Sequence, residues 1–430
     1  MGHKINSLEC VDIGVLRQGS QLNRDQKIFL ERGITEDEIL VALKGIDDSS
    51  APGLDGYSAK FFKTSWNTIK IEVIAAIHEY FDKGKMYKAF NCSLVSLVPK
   101  SASAKSIREF RPISVDLQKA YDMIDWQALE CIMDELGIPH KFLKWIMQSL
   151  TSVSYRFNIN GSHSKMLIAR RGIRLGDPIS PYLFAMLMEY LQRSLHQMQL
   201  SPRFKHHAKC KKLQLTNLMF ADDVLLLAKG DVTSVDLLLS TFYKFLNFTG
   251  MQINKGKSKI FFRAVTQKMK NSLLTLSGFQ EGTMPFKYLG VPITSKKLSI
   301  HHYMGLIDKI ICRTHIWTSK LLTYAGRLQL IKSISFAIVN YWMLCFPLPK
   351  AVLAKIDAIC RSFLWTCKDQ LSRKSLVAWS TVCQPVNKGG LGVININIWN
   401  KCAMLKLLWN ICNKPNNLWV KWIHAYYLKQ

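Results

Sequence analysis

Asp222 and Asp223 are adjacent carboxylates set between two apolar runs, LQLTNLMF and VLLLA, in a chain short of acidic residues. Two like charges side by side disfavour each other unless something positive is bound, and a divalent metal is the obvious relief. A further carboxylate, Asp116 in VDLQKAYDMIDW, falls inside a hydrophobic strand pattern, where an unpaired ionised side chain is expensive. One Asp on a strand and an Asp pair at a hairpin turn are the smallest set that supports phosphoryl transfer by two metal ions, held roughly 3.5 to 4 Å apart. Carboxylate oxygens suit hard cations such as Mg²⁺. In an exposed hairpin, however, an Asp pair is also plain turn chemistry, and spacing alone does not separate the two.

Between these carboxylates runs ARRGIRLGDPISPYLFAMLMEYL, a basic loop punctuated by Gly and Pro that leads into an apolar helix. Arg170, Arg171 and Arg174 can meet phosphates, and Gly172 and Gly176 permit close backbone approach. The alternative is a charged loop that merely caps the helix behind it.

Several elements must position these groups. A helix from about Glu36 to Gly45, the first element expected, has Thr35 as N-cap and Glu38 as the capping-box partner. After the turn-rich DDSSAPGLDGYS, the segments FFKTSW and IEVIAAIHEYF read as amphipathic helix, and NCSLVSLVPK as a strand ending at Pro99. A helix should start near Trp126. Strands at Tyr155 to Asn160 and Lys165 to Ala169 flank the hairpin signal Asn160-Gly161, and a helix should follow Pro181. Two strands joined by an acidic turn then carry Asp222 and Asp223, and beyond about Arg263 the pattern is predominantly helical.

The 430 residues carry 58 Lys and Arg against 30 Asp and Glu, a net charge of +28 that should attract a polyanion, by default nucleic acid. With 48% hydrophobic residues the chain can bury more than one core, so two or three packed units are expected. Eleven cysteines show no CxxC pair or zinc-finger spacing, which disfavours a structural zinc site and favours reduced thiols. No signal-peptide pattern opens the sequence, and no stretch reads as 18 uncharged apolar residues. The expectation is an intracellular protein, in nucleus or cytoplasm and not secreted, with no membrane contact.

The order VDLQKAYD, RGIRLGDPISPYLF, FADD, TGMQINKGKS, FKYLGVPI closely resembles motifs A to E of the reverse transcriptases of plant-type LINE (non-LTR) retrotransposons. The likeness extends to DDSSAPGLDGYSAKFFKTSW upstream and to LLTYAGRLQLIKSI, NYWMLCFPLPK and AWSTVCQPVNKGGLGV downstream, so it covers nearly the whole chain. It implies an α+β right-hand polymerase with a palm sheet, partial fingers and a helical thumb. Residues 1–114 would be an N-terminal extension and partial fingers, 115–262 the palm with motifs A to D, and 263–430 motif E, the thumb and a C-terminal connection region.

The resemblance implies roles residue by residue. Asp116, Asp222 and Asp223 would bind Mg²⁺ or Mn²⁺, and Lys257 in NKGKS would protonate the leaving pyrophosphate. Tyr121 would be the gate against a ribose 2′-hydroxyl; otherwise it is a core aromatic. Lys100 and Arg111 would contact the incoming deoxynucleoside triphosphate, with Arg174 and Gly176 of motif B also at the nucleotide. The implied reaction is attack of a DNA primer's 3′-hydroxyl on the α-phosphate, directed by an RNA template. Basic thumb helices and the run KHHAKCKK (residues 205–212) would track the template and primer backbone, or else form a solvated basic face.

Three departures bear on that reading. FRPIS at Phe110 to Ser114 runs straight into VDLQKAYD where family members carry a long block of fingers and palm. Motif B reads RLGDP, with Leu175 at the place of a glutamine, and a leucine makes no hydrogen bonds to a nucleotide. GLDG at residues 53–56 replaces the usual GPDG. The competing expectation is therefore a catalytically inactive relic of the same family that binds nucleic acid. The sequence leaves oligomeric state open.

Overall fold

The computed structural model describes residues 12–50, 52–53, 55–88, 90–99, 110–112, 120–159, 162–174, 176–254, 256–294, 297–318, 322–366, 376–413 and 416–428. Contacts divide the chain into two compact units, Met1–Gln280 and Glu281–Gln430.

Unit 1 begins with α1 (Ile13–Arg17) and α2 (Arg24–Glu31), two helices ahead of the one expected first. Both are short, so their periodicity is brief, and what holds α1 is tertiary: Val15 and Leu16 are buried. The expected helix is α3 (Glu36–Gly45), and Thr35 and Glu38 form the capping box as read. There follow α4 (Ala59–Thr64), α5 (Trp66–Lys83), β1 (Cys92–Pro99) and β2 (Phe110–Pro112). Next come α6 (Ala120–Met123), α7 (Trp126–Glu135), α8 (His140–Thr151), β3 (Ser154–Ile159), β4 (Ser162–His163) and β5 (Leu167–Ile168). The main sheet has the order β2-β1-β3-β4, with β5 also pairing β3; β1 and β3 are parallel, and the other pairs antiparallel.

The core of unit 1 forms where α9 (Ser180–Gln199) meets α7 and α10 (Val232–Thr249). Leu183, Leu187, Leu191 and Leu195 recur every fourth residue of α9 and are wholly buried, as are Leu129, Ile132 and Met133 of α7. Each such side chain contributes about 1.5 to 3 kcal/mol by leaving water. Between α9 and α10 lies the ribbon β6 (Asn217–Phe220) and β7 (Asp223–Leu226). The unit continues through β8 (Lys259–Ile260) and α11 (Gln267–Ser277), and β9 (Gln280–Glu281) spans the division.

Unit 2 opens with the hairpin β10 (Phe286–Tyr288) and β11 (Val291–Ile293), so the expected helical region is interrupted by short strands. Its helices are α12 (Met304–Thr318), α13 (Tyr324–Leu330), α14 (Phe336–Cys345), α15 (Lys350–Thr366), α16 (Trp379–Val382), α17 (Ile396–Asn413) and α18 (Leu418–Tyr426). Val352, Ile356, Ile359 and Phe363 form the buried stripe of α15. A π-helical turn, Ile331–Ser335, joins α13 to α14, and the run Tyr324–Cys345 is long and apolar enough by composition to cross a membrane. The expectation concerned 18 uncharged residues, and this run is longer but not uncharged. The run carries Arg327 and Lys332, and its Ile331, Val339, Trp342 and Met343 are spent on the core of unit 2.

Candidate functional site

The Asp pair sits where the sequence puts it, at the tip of a hairpin. Phe220 pairs with Asp223, which leaves Ala221 and Asp222 as a two-residue turn with Ala221 in the left-handed region at φ 50. Directly paired residues share a face of the ribbon. Met219 and Leu226 pack against the core of unit 1, while Leu218 and Phe220 are exposed on the opposite face, the face that also carries Asp223. Asp223 is exposed and Asp222 half-buried. Burial, and then the charge of Asp222, push the Asp223 carboxyl above the usual carboxylate range. Neither forms an ion pair among the described residues.

Tyr121 belongs to the same neighbourhood. Its hydroxyl is pushed up first by burial and then by the charge of Asp222. The ring is 8% exposed and stacks on Phe184 of α9, with centroids 4.8 Å apart and planes at 12°. The Gly-rich loop is stitched to the segment that bears Tyr121: Ile173 N donates to Tyr121 O at 2.8 Å, and Gly172 N to Ile124 O at 2.7 Å. The indole Nε1 of Trp126 donates to Gly172 O at 2.7 Å. Gly172 has φ +87, and a Cβ there would lie 2.7 Å from the Asp122 carbonyl oxygen, so only glycine fits. Gly176, with φ +88, has open space where a Cβ would stand.

Arg174 turns inward. Its Nη2 donates to the Asn91 side-chain oxygen and, at 3.3 Å, to the Asn91 carbonyl. Ser180 Oγ donates to the Arg174 carbonyl at 2.5 Å, which ties the loop to the start of α9. The Tyr155 hydroxyl of β3 is pushed up by burial, opposed by Arg174 and reinforced by the charges of Asp122 and Asp177. Arg174 Nε is buried without a partner among the described residues. Asn91, Tyr155 and Phe184 were not singled out from the sequence, because an Asn ahead of an apolar run and aromatics inside strand and helix patterns look like ordinary structure.

Lys257 and Arg111 have their described backbone partners outside this cluster. Lys257 is exposed on the loop after α10, its backbone N–H held by Asn254 O at 3.1 Å. Arg111 stands in β2 opposite Val98. Asp116, Lys100, Leu175 and the Asn160-Gly161 turn lie outside the described residues. In the basic run, Lys205 N donates to Ser234 Oγ at 2.9 Å and Cys210 is buried, so part of it is anchored on the core. Among the described residues no group of three or more His, Cys, Asp or Glu could hold a metal. The donor set Asp222 and Asp223 does fit a hard divalent cation, since both are oxygen ligands and their mutual repulsion is relieved by positive charge.

Residues 80–293 match the family model for reverse transcriptase (RNA-dependent DNA polymerase). An Arabidopsis thaliana protein named for ribonuclease H is 30% identical over 129 residues, covering 30% of this chain and 21% of that protein. A 149 kDa protein of transposon TX1 from Xenopus laevis is 22% identical over 443 residues, covering 86% of this chain and 32% of its own length. The Pol polyprotein of a type-1 R2 retrotransposable element from Popillia japonica is 31% identical over 179 residues, covering 40% of this chain and 24% of that protein. The chain thus spans between 21% and 32% of the length of these curated relatives. Reverse transcriptases generally use divalent metals such as Mg²⁺ and act with an RNA template, a primer and deoxynucleotides. By family model and retrotransposon relatives together, residues 80–293 form a reverse transcriptase domain, and the chain around it is similar to the Pol-type proteins of non-LTR retrotransposons.

Proposed function

We propose that the chain is an RNA-directed DNA polymerase domain of LINE type that transfers nucleotides by a two-metal route. The observation that carries this reading is Asp222–Asp223 at a hairpin tip beside Tyr121, whose backbone is bonded to the Gly-rich loop. Asp222 and Asp223, with Asp116 completing the set, would hold Mg²⁺ or Mn²⁺; the metal would supply charge stabilisation at the attacking and leaving oxygens. Tyr121, packed flat on Phe184, is too confined to yield space to a ribose 2′-hydroxyl. Arg174, pinned to Asn91, would hold the Gly176 backbone open to a nucleotide rather than bind the triphosphate itself. Lys100, Arg111 and Lys257 keep their assigned roles as contacts to the triphosphate and its leaving group. In this reading fingers, palm and thumb follow the expected division, with motif E and the thumb in unit 2 and the protein working inside the cell.

A second reading has one specific support. Of the 443 positions aligned to the transposon TX1 protein, 86% of this 430-residue chain supplies about 370, so about 73 positions of the relative have no counterpart here. Loss of a block between FRPIS and VDLQKAYD would contribute to such a deficit, and with it the chain would be a catalytically inactive relic that binds nucleic acid through its positive charge. Extension of a DNA primer on an RNA template with Mg²⁺ or Mn²⁺ separates the two. Extension abolished by Asp222→Asn with Asp223→Asn supports the polymerase; folded protein that only binds nucleic acid in a salt-sensitive way supports the relic.

A further inference from the structure

The last 61 residues, from Gln370, contain eight Lys or Arg and not one Asp or Glu. Within that stretch α17 packs its inner side on α14 and α15. Ile396 and Ala403 are buried, Asn400 exchanges two 3.1 Å hydrogen bonds with the Leu348 backbone, and Trp399 Nε1 donates to Asn340 at 2.7 Å. The outer side is apolar yet open. Ile398 is 60% exposed, Leu405 63% and Trp409 66%, with Cys402 and Cys412 exposed between and beyond them. These five positions are separated by four, three, four and three residues, the spacing of a coiled-coil seam. Lys401 and Lys406, both exposed, stand at two of the positions that flank such a seam, others being Trp399 and Leu408, 40% and 58% exposed. An exposed apolar stripe on a helix whose inner side is packed on its neighbours marks an interaction surface.

We propose that the outer face of α17 docks one acidic amphipathic helix of a protein partner. The seam supplies apolar positions for a facing helix, and Lys401 and Lys406 select carboxylates beside that helix's own seam. Charge decides against a second copy of this chain, because lysine would meet lysine at the flanks. Nucleic acid fits the seam poorly, since four of its five side chains are aliphatic or thiol and only Trp409 offers a ring for stacking.

The test uses the full chain and three synthetic 21-residue helical peptides, each labelled for fluorescence anisotropy. One has Leu at seam positions with Glu at the flanks, one has Lys at the flanks, and one scrambles the acidic peptide. The acidic peptide should bind about tenfold or more tighter than either other, the scale of two charge pairs at an interface. Leu405→Asp should abolish binding, and Lys401→Glu with Lys406→Glu should reverse the preference toward the Lys peptide. Equal binding of acidic and scrambled peptides would overturn the proposal, as would unchanged preference in the charge-reversed variant. So would a self-association, an oligonucleotide affinity or an anionic-vesicle affinity that is lost in Leu405→Asp while the acidic peptide fails to bind.

Discussion

Ile173 donates its backbone N–H to the carbonyl of Tyr121 at 2.8 Å, so the Gly-rich loop and the segment that bears the gate tyrosine are one hydrogen-bonded unit. One residue earlier, Gly172 repeats the bond to Ile124 and takes the Trp126 indole on its own carbonyl. The position of the loop against Tyr121 is therefore fixed by backbone geometry rather than by charge.

Gly172→Ala tests that unit. A Cβ would meet the Asp122 carbonyl oxygen at 2.7 Å and would sit at φ +87. The left-handed conformation costs an alanine about 1 to 2 kcal/mol, and the overlap about 1 to 3 kcal/mol more. Gly176→Ala meets no atom within 4 Å and should cost only the conformational part. Urea midpoints of the two variants should differ accordingly; equal losses would show that the loop is free to move away from Asp122.

Asp223→Asn should stabilise the metal-free protein at neutral pH. Its carboxyl is held above its ordinary value by burial and by Asp222, so its favourable contribution is complete below the unfolded value and is lost as pH rises through the folded one. Replacing it removes that loss. The group is exposed, so the gain is on the order of 0.5 kcal/mol or less. The gap should close in acid, and Mg²⁺ should raise the melting temperature of the parent chain more than that of the Asp222→Asn, Asp223→Asn variant. A magnesium effect of equal size in both would place the cation elsewhere.

How much of this was legible in the sequence depends on where each contact comes from. The Thr35 capping box, the Pro181-led helix and the acidic turn between β6 and β7 are local, and their residues announce them. The α1 and α2 helices were missed because α1 owes its burial to α7 and α9, far along the chain. Arg174 looked like a phosphate contact because its partner Asn91 lies 83 residues away. Tyr121 was placed by motif likeness, and nothing in its spacing foretold the stack on Phe184.

Arg193 should prove to be what holds α1 in place. Its guanidinium donates to the Leu16 carbonyl and, at 2.8 Å, to the Ser20 carbonyl, and it pairs with Glu189 at 2.8 Å. Arg193→Ala removes the side-chain donor to the Ser20 carbonyl and leaves the Leu16 carbonyl only the 3.3 Å bond from Gln21 Nε2, at a cost of about 1 to 3 kcal/mol. The exposed Arg17–Glu135 pair contributes under about 1 kcal/mol and does not compensate. Trypsin should then cut after Arg17 well before the rest of unit 1 is attacked. Unchanged cleavage would assign the docking of α1 to the burial of Val15 and Leu16 with the bonds made by Gln21 and Arg17.

Asp357 gives unit 2 its own pH dependence. Burial raises its carboxyl, while hydrogen bonds from Trp379 Nε1 at 2.8 Å and Asn397 Nδ2 at 3.2 Å, together with Arg361, work the other way. Because burial prevails, the folded value lies above the unfolded one, so its stabilising contribution is complete below about pH 3.9 and declines as pH rises through the folded value. Asp357→Asn keeps an acceptor for the indole and carries no charge to bury, so it should be at least as stable as the parent chain at pH 7 and lose that advantage in acid. Asp357→Leu removes both acceptors, leaves the Trp379 and Asn397 donors unpaired and should cost about 1 to 3 kcal/mol at every pH. Urea unfolding followed by tryptophan fluorescence at pH 4, 6 and 8 reads both variants. If Asp357→Asn were less stable than the parent at pH 7, with the deficit shrinking in acid, the ionised carboxylate would be the stabilising form, and the two hydrogen bonds with Arg361 would outweigh burial.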